Sequence, residues 1–158
     1  MTLDHVNTVI VGGGQAGLAM SAHLSEQGID HLVIERDRIA ERWRTARWDS
    51  LVANGPAWHD RFPMLEFEDC DGDGFPTRDS VVRYFETVAE RIDAPVRCGV
   101  EVKRAARLPS GRGFRIETSD GVVTADHVVA ATGPFQTPAI PPVVPDGFIL
   151  SLIHISEP

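Results

Sequence analysis

Two rhythms of apolar residues divide this chain into segments. A β-rich run, Val9-Ile10-Val11, breaks at Gly12-Gly13-Gly14 and gives way to a helix-compatible stretch from Gln15 to Gln27. Within it Leu18 and Ala22, with the small Ala16 and Ala19, fall where a helix packs on a sheet, and Gly28 follows at the C′ position. Leu32 to Ile34 is a continuous apolar run, as buried parallel strands are. Thr77 to Ile92 predicts the clearest helix after the first. Thr77 suits an N-cap, Val81, Phe85, Val88 and Ile92 recur at helical spacing, and Val82 and Ala89 widen the stripe. Tyr84 and Phe85 read as core. From Pro95 the period drops to two, in Val96-Arg-Cys98, Val100-Glu-Val102, Phe114-Arg-Ile116 and Val122-Val-Thr124. Turn signals at Pro109-Ser110-Gly111 and Ser119-Asp120-Gly121 separate these runs and predict a small β-meander inserted in an α/β unit. The chain then returns to a strand expected to be buried, His127 to Gly133, and leaves on Pro-rich coil, Pro134 to Pro145.

Two stretches keep neither rhythm. Glu35 to Pro63 carries all three tryptophans, Trp43, Trp48 and Trp58, among six arginines. Long aperiodic stretches in compact domains are functional or disordered, and the aromatic content argues against disorder, so a ligand-covering loop is expected. The second, Glu66 to Gly74, alternates Asp69, Asp71 and Asp73 ahead of Gly74 in the manner of a calcium loop. The match then fails, because Pro76 intrudes and Ser80 replaces the closing bidentate acid. An acidic surface turn is the better reading, and no metal site is expected.

The glycine turn carries the chemistry. G-x-G-x-x-G lies between a strand and a helix, with Glu35 closing the second strand. Gly12 allows the tight turn, Gly14 lets backbone approach a pyrophosphate, and Gly17 brings the helix close to the sheet. Free N–H groups and partial positive charge at the helix start hold a diphosphate. Glu35 can accept both hydroxyl hydrogens of an adenosine ribose, which disfavours a 2′-phosphate there. The alternative is a Gly-rich βα turn with no nucleotide.

Composition narrows the classes. A chain of 158 residues suits one domain, and 42% hydrophobic with 24% charged residues is ordinary for a globular protein. A net charge of −8 argues against nucleic acid and anionic membranes as partners. No apolar run approaches the roughly 20 residues of a membrane span, and the start, MTLDHVNT, has no signal-peptide pattern. Cytoplasm is the expected compartment. Cys70 and Cys98 form no C-x-x-C, so a dithiol mechanism has no support and unpaired thiols are expected.

Three pieces together resemble the FAD-dependent flavoprotein monooxygenases, within the flavoproteins that have two dinucleotide-binding domains. VIVGGGQAGLAMSAHLSEQGIDHLVIER is similar to their FAD fingerprint, ERWRTARWDSLVANGP to their loop over the isoalloxazine ring, and HVVAATGPFQTPAIPP to the strand that passes beneath the flavin. With GFPTRDSVVRYFETVAERI between them, the resemblance covers roughly residues 6 to 149. It implies an α/β Rossmann-like FAD-binding domain with a parallel sheet, incomplete here. It implies that Gly12, Gly14, Gln15, Ala16 and Gly17 surround the FAD diphosphate, that Glu35 binds the ribose and that Arg36 flanks the adenine. Trp43 matches the tryptophan near the flavin, although Arg42 stands where a small residue is usual. Val102 matches the strand residue whose backbone pairs with adenine, and Thr132 and Gly133 match the close approach to the cofactor. Asn54 matches an amide held by the flavin ring, where it can donate to a peroxide or ring carbonyl without changing charge. As a residue beside Gly55 and Pro56, it reads equally as a loop-turn Asn. The implied reaction has NADPH reduce the flavin and O₂ add, and the hydroperoxyflavin then oxygenates a small organic substrate. His59 beside Asp60 suggests a base, but a loop His next to Asp reads as surface.

The family's second G-x-G-x-x-G, for NADPH, is absent from these residues. Gly147-Phe148 begins the monooxygenase fingerprint, but Leu150 stands in place of glycine, with His154 at the matching place. LSLIHISEP, residues 150–158, departs from the composition before it and resembles a translated sequencing-library adapter, so authentic sequence is expected to end near Ile149. Residues 1–149 are then read as a partial FAD-binding domain, with sheet edge and apolar surface uncovered, poor solubility and no turnover alone. The competing readings are a flavoprotein reductase on the same scaffold and a nucleotide-binding module without chemistry. Substrate and oligomeric state are not read from the sequence.

Overall fold

The computed structural model describes residues 5–134. Its elements run β1 (His5–Val11), α1 (Gln15–Glu26), β2 (His31–Ile34), α2 (Glu41–Thr45), α3 (Ala57–Asp60), α4 (Arg78–Arg91), β3 (Val96–Arg97), β4 (Val102–Arg107), β5 (Phe114–Thr118) and β6 (Gly121–Ala130). They build one six-stranded sheet in the order β3-β2-β1-β6-β5-β4. β3, β2, β1 and β6 are parallel, and β6, β5 and β4 form an antiparallel meander. The α/β Rossmann-like architecture with its meander is thus present.

Its details differ from the periodicity in three respects. Val96-Arg-Cys98 does not belong to the meander: Val96 and Arg97 pair in parallel with Val33 and Ile34. A two-residue pairing is too short for a period to identify it. The runs at Val122 and His127 are one ten-residue strand, β6, whose Gly121–Ala125 end pairs with β5 and whose Thr124–Ala130 end pairs with β1. The meander is therefore continuous with the parallel sheet. Its second half is also not buried as expected. His127 and Ala130 are exposed and Val128 and Val129 half-buried, because pairing to β5 stops at Ala125 and leaves the far edge of the strand open among the described residues. A strand buried on both faces and edges needs neighbours that these residues do not supply.

The two faces of β1 and β2 alternate as the pleat requires. Val9, Leu32 and Ile34 join Ile116, Val123 and Ala125 in one apolar cluster, so the meander folds over that face. On the other face Ile10 is fully buried, with α1 close above it at Gly17. There Ser21 Oγ bonds His31 Nε2 at 2.8 Å, and His31 Nδ1 bonds the Ile29 carbonyl at 2.8 Å. Both ring nitrogens of a buried histidine are thereby partnered. Leu18 and Ala22 are buried as expected, but Ala16 is exposed, because it lies in the first turn of α1 beyond the sheet edge.

α4 is the second helical wall. Thr77 caps it by accepting the Ser80 amide at 3.2 Å. Val81, Val82, Tyr84, Phe85, Val88 and Ala89 bury one face in a cluster with Leu18, Phe62 and Phe67. Tyr84 is core, as read, and also a connector. Its ring stacks on Phe67 at 3.8 Å, while its hydroxyl accepts the Phe62 amide at 2.7 Å and donates to the Leu65 carbonyl at 2.5 Å. Burial pushes its phenol above the ordinary value.

Tyr84→Phe keeps the ring and strands a buried amide and carbonyl. In urea denaturation it should lower unfolding stability by about 1–3 kcal/mol. Trp58→Phe, at a ring 57% exposed, should change it by less than about 0.5 kcal/mol. Equal effects of the two substitutions would contradict this account of the loop's anchoring.

Candidate nucleotide-binding site

The turn between β1 and α1 is shaped by what its glycines lack. Gly12 has φ +114°, a conformation side chains rarely adopt, and a Cβ on it would lie 2.4 Å from the Ala131 carbonyl oxygen. A Cβ on Gly17 would lie 1.9 Å from the Gly12 carbonyl oxygen. The first glycine thus lets β6 close on the turn, and the third lets α1 close on it. Gly14 differs: among the described residues nothing lies within 4 Å of a Cβ there. It forms the N-cap of α1 with no side-chain cap bond, and Gln15 and Ala16 beyond it are exposed. The helix start is therefore a bare, open set of backbone donors, which suits an anionic group.

Glu35 faces this turn. Its Oε2 accepts the Gly13 amide at 2.6 Å and its Oε1 accepts the Asp37 amide at 2.9 Å. Val100 N–H donates to the Glu35 carbonyl and Gly99 N–H to the Asp37 carbonyl, each at 3.0 Å, so the approach to β4 runs alongside residues 35–37. Val102, half-buried and paired with Thr118, stands two residues further on. Arg36 is exposed and pairs with Asp37 at 3.1 Å, whose hydrogen bond and charge raise its pKa. Cys98 lies in the same approach; it is exposed, and the desolvation of its sulfur there raises the thiol's pKa. Thr132 and Gly133, both exposed, follow β6 directly after Ala131, whose amide donates to the Val11 carbonyl at 2.9 Å. The fold thus gathers Gly12, Gly14, Gln15, Ala16, Gly17, Glu35, Arg36, Thr132 and Gly133 at the carboxyl ends of β1, β2 and β6, with Val102 close by. Strand order reverses at β1, with β2 on one side and β6 on the other, and such switch points are where open α/β sheets take ligands.

The loop residues are held separately. Trp43, on α2, packs half-buried against the α4 cluster, with the Arg47 guanidinium 5.7 Å over its ring. Asn54 is exposed and lies on a ribbon pinned to the entry of α4, where Val52 bridges Thr77 and the Ala53 amide donates to the Pro76 carbonyl at 2.8 Å. Among the described residues no hydrogen bond joins either residue to the glycine turn. Asp60 completes the local frame, accepting the Gly55 amide at 3.1 Å and bonding His59 Nδ1 at 2.7 Å. His59 is 65% exposed, as its surface reading expected, and its acid partner is used to hold the Asn54-Gly55 turn. Two residues escaped sequence reading: Gly13, hidden in a glycine triplet, and Asp60, whose turn-holding role depends on a fold-back of five residues.

The acidic segment is also internally engaged. Arg83 pairs with Asp69 and holds its carboxyl below the usual value, and the Asp71 carbonyl accepts the Gly74 amide at 2.9 Å. Among the described residues no group of three His, Cys, Asp or Glu side chains could hold a metal ion, and no helix is long and apolar enough to cross a membrane. Cys70 and Cys98 are both free. A cavity of about 160 Å³ lies between the acidic segment and α4, and another of about 100 Å³ lies beside Trp58; neither is at the glycine turn. The readings at Gly147, Leu150 and His154, and the boundary at Ile149, fall outside the described residues.

A family model described as pyridine nucleotide-disulphide oxidoreductase matches residues 9–148. An uncharacterized CzcO-like oxidoreductase of Geobacillus kaustophilus is 36% identical over 138 residues, which are 87% of this chain and 38% of that protein. The indole-3-pyruvate monooxygenase YUCCA1 of Oryza sativa subsp. japonica is 33% identical over 135 residues, 84% of this chain and 33% of that protein. Among solved structures, a flavin-containing monooxygenase from Stenotrophomonas maltophilia superposes with a TM-score of 0.70 at 25% identity, covering 82% of this chain and 39% of that one. The chain thus spans well under half the length of the proteins it matches.

The glycine geometry separates fold from binding. Gly17→Ala should destabilise the protein by about 1–3 kcal/mol, since the Gly12 carbonyl must move. Gly14→Ala should cost under about 1 kcal/mol, the difference between the two residues at an N-cap. Thermal denaturation of both variants decides it, and a Gly14→Ala protein as unstable as Gly17→Ala would contradict the open cradle.

Proposed function

The chain belongs to the pyridine nucleotide-disulphide oxidoreductase family, and from that premise we propose that it is the FAD-binding part of an NADPH-dependent flavoprotein monooxygenase acting with O₂ on a small organic substrate. The observation that carries the reading is the cradle at the carboxyl ends of β1 and β6. There the protein leaves open the space above Gly14 and the bare start of α1, and sets a carboxylate beside them. A diphosphate fits the amides of Gly14, Gln15, Ala16 and Gly17, and an adenosine ribose fits the free lone pairs of Glu35, since a carboxylate offers about four acceptor positions. Arg36 and Val102 would flank the adenine, and Thr132 with Gly133 would approach the cofactor from the end of β6. The monooxygenase names of the rice relative and the Stenotrophomonas structure support oxygenation as the reaction type.

When bound, the flavin supplies the redox and oxygen chemistry. The residues of this chain bind and orient it. Trp43 and Asn54 would border the ring, and the Asn54 amide would donate a hydrogen bond there without a change of charge. No second G-x-G-x-x-G occurs in these residues.

Purification of the full-length protein should yield a flavin absorption band that NADPH bleaches. O₂ uptake should then accelerate when the right small substrate is added. A band that NADPH bleaches, with no substrate-dependent O₂ uptake, would instead make the protein a flavoprotein reductase. Absence of any bound flavin would leave a nucleotide-binding module. Asn54→Ala in the full-length protein should retain the flavin and lose about 10²-fold or more in oxygenation rate.

A further inference from the structure

The Glu35 carboxylate already has work in the fold that needs no ligand. One oxygen takes the Gly13 amide at 2.6 Å and the other the Asp37 amide at 2.9 Å, so one side chain clasps the turn leaving β1 to the bend leaving β2. We propose that Glu35 is a positioning residue of the glycine turn, holding the Gly13 amide so that the turn is formed before a nucleotide arrives. This rests on the FAD-site reading above and extends the role of Glu35 from the ribose to the turn itself.

The physical case begins with the three consecutive glycines. They have no side chains to fix them, and ordering them costs more backbone entropy than ordering any other triplet. Gly12 is held by its amide bond to the Ile34 carbonyl at 2.9 Å, and Gly14 by its carbonyl bond from the Leu18 amide at 2.9 Å. Gly13, between them, is held by Glu35. Amide-to-carboxylate bonds are among the stronger hydrogen bonds, so a single side chain suffices. Charge and length both matter. Glutamine at this position offers one acceptor oxygen and turns an NH₂ toward the other amide, while aspartate keeps both oxygens but withdraws them by one methylene.

The test separates the turn from the ribose. Amide hydrogen exchange is followed in the nucleotide-free full chain for the wild type, Glu35→Ala, Glu35→Gln and Glu35→Asp. We expect Gly13 exchange to rise at least about tenfold in Glu35→Ala and by less in Glu35→Gln. The amides of Val9 and Ile10 should stay protected, reporting an intact sheet. Unchanged Gly13 exchange in folded variants would overturn the proposal. In a second arm, affinities are measured for FAD and for its 2′,3′-dideoxyadenosine analogue. A Glu35 acting through the ribose alone would lose nothing on the analogue when substituted, which would also overturn the proposal; we expect a residual loss of about tenfold. Faster Gly13 exchange in a protein that binds no FAD would support the positioning role while rejecting the FAD reading.

Discussion

Three backbone segments meet at the carboxyl end of β1 at separations that no Cβ permits. The Gly12 carbonyl lies where a side chain on Gly17 would begin, and the Ala131 carbonyl lies where one on Gly12 would begin. This double contact sets where α1 starts, how closely it rides over Ile10, and where the end of β6 stands relative to the turn. The open space above Gly14 follows from it. A turn compressed on two sides by its own fold is left with one side facing outward, and the helix's unpaired amides face that way.

The rest of the chain serves this junction from two sides. The meander folds over one face of β1 and β2, and the run of residues 97–100 toward β4 is sewn to residues 35–37. On the other side α4 and the Trp-rich loop form a single unit. Tyr84 holds residues 62–65, Thr77 and Pro76 hold residues 52–53, and Gly74 holds Ala57. The loop is aperiodic because its own helices, α2 and α3, are only five and four residues long and the stretches between them bond to a neighbouring ribbon, and its aromatic residues divide accordingly. Trp43 packs inward, while Trp58 remains 57% exposed.

Much of this was legible in the residues. Strand, glycine turn, helix, strand and acid are each marked by local composition and period, and each occupies the place expected of it. Helix α4 is equally plain, because Thr77 caps it and one apolar stripe runs its length. The family resemblance, read from residues 9–36, 41–56 and 127–142, agrees with the family to which the chain belongs. Asn54 and Trp43 were legible only as residue types, and their geometry rests on a loop with no period to read.

What the linear order could not decide depends on partners distant in sequence. That Val96 joins the parallel sheet follows from its meeting Val33, and that Gly121 to Ala130 is one strand follows from its having β5 along one end and β1 along the other. The exposure of His127 and Ala130 reflects where β5 stops, a property of another strand. The role of Gly13 emerges only when Glu35, 22 residues away, is brought back over it. Sequence by itself determined the motif, the two main helices and the kind of ligand the turn suits, because backbone propensity and side-chain period act locally. The tertiary structure decided the strand pairings, the open cradle and the clasp across the turn, because these depend on which distant backbone comes within hydrogen-bonding distance.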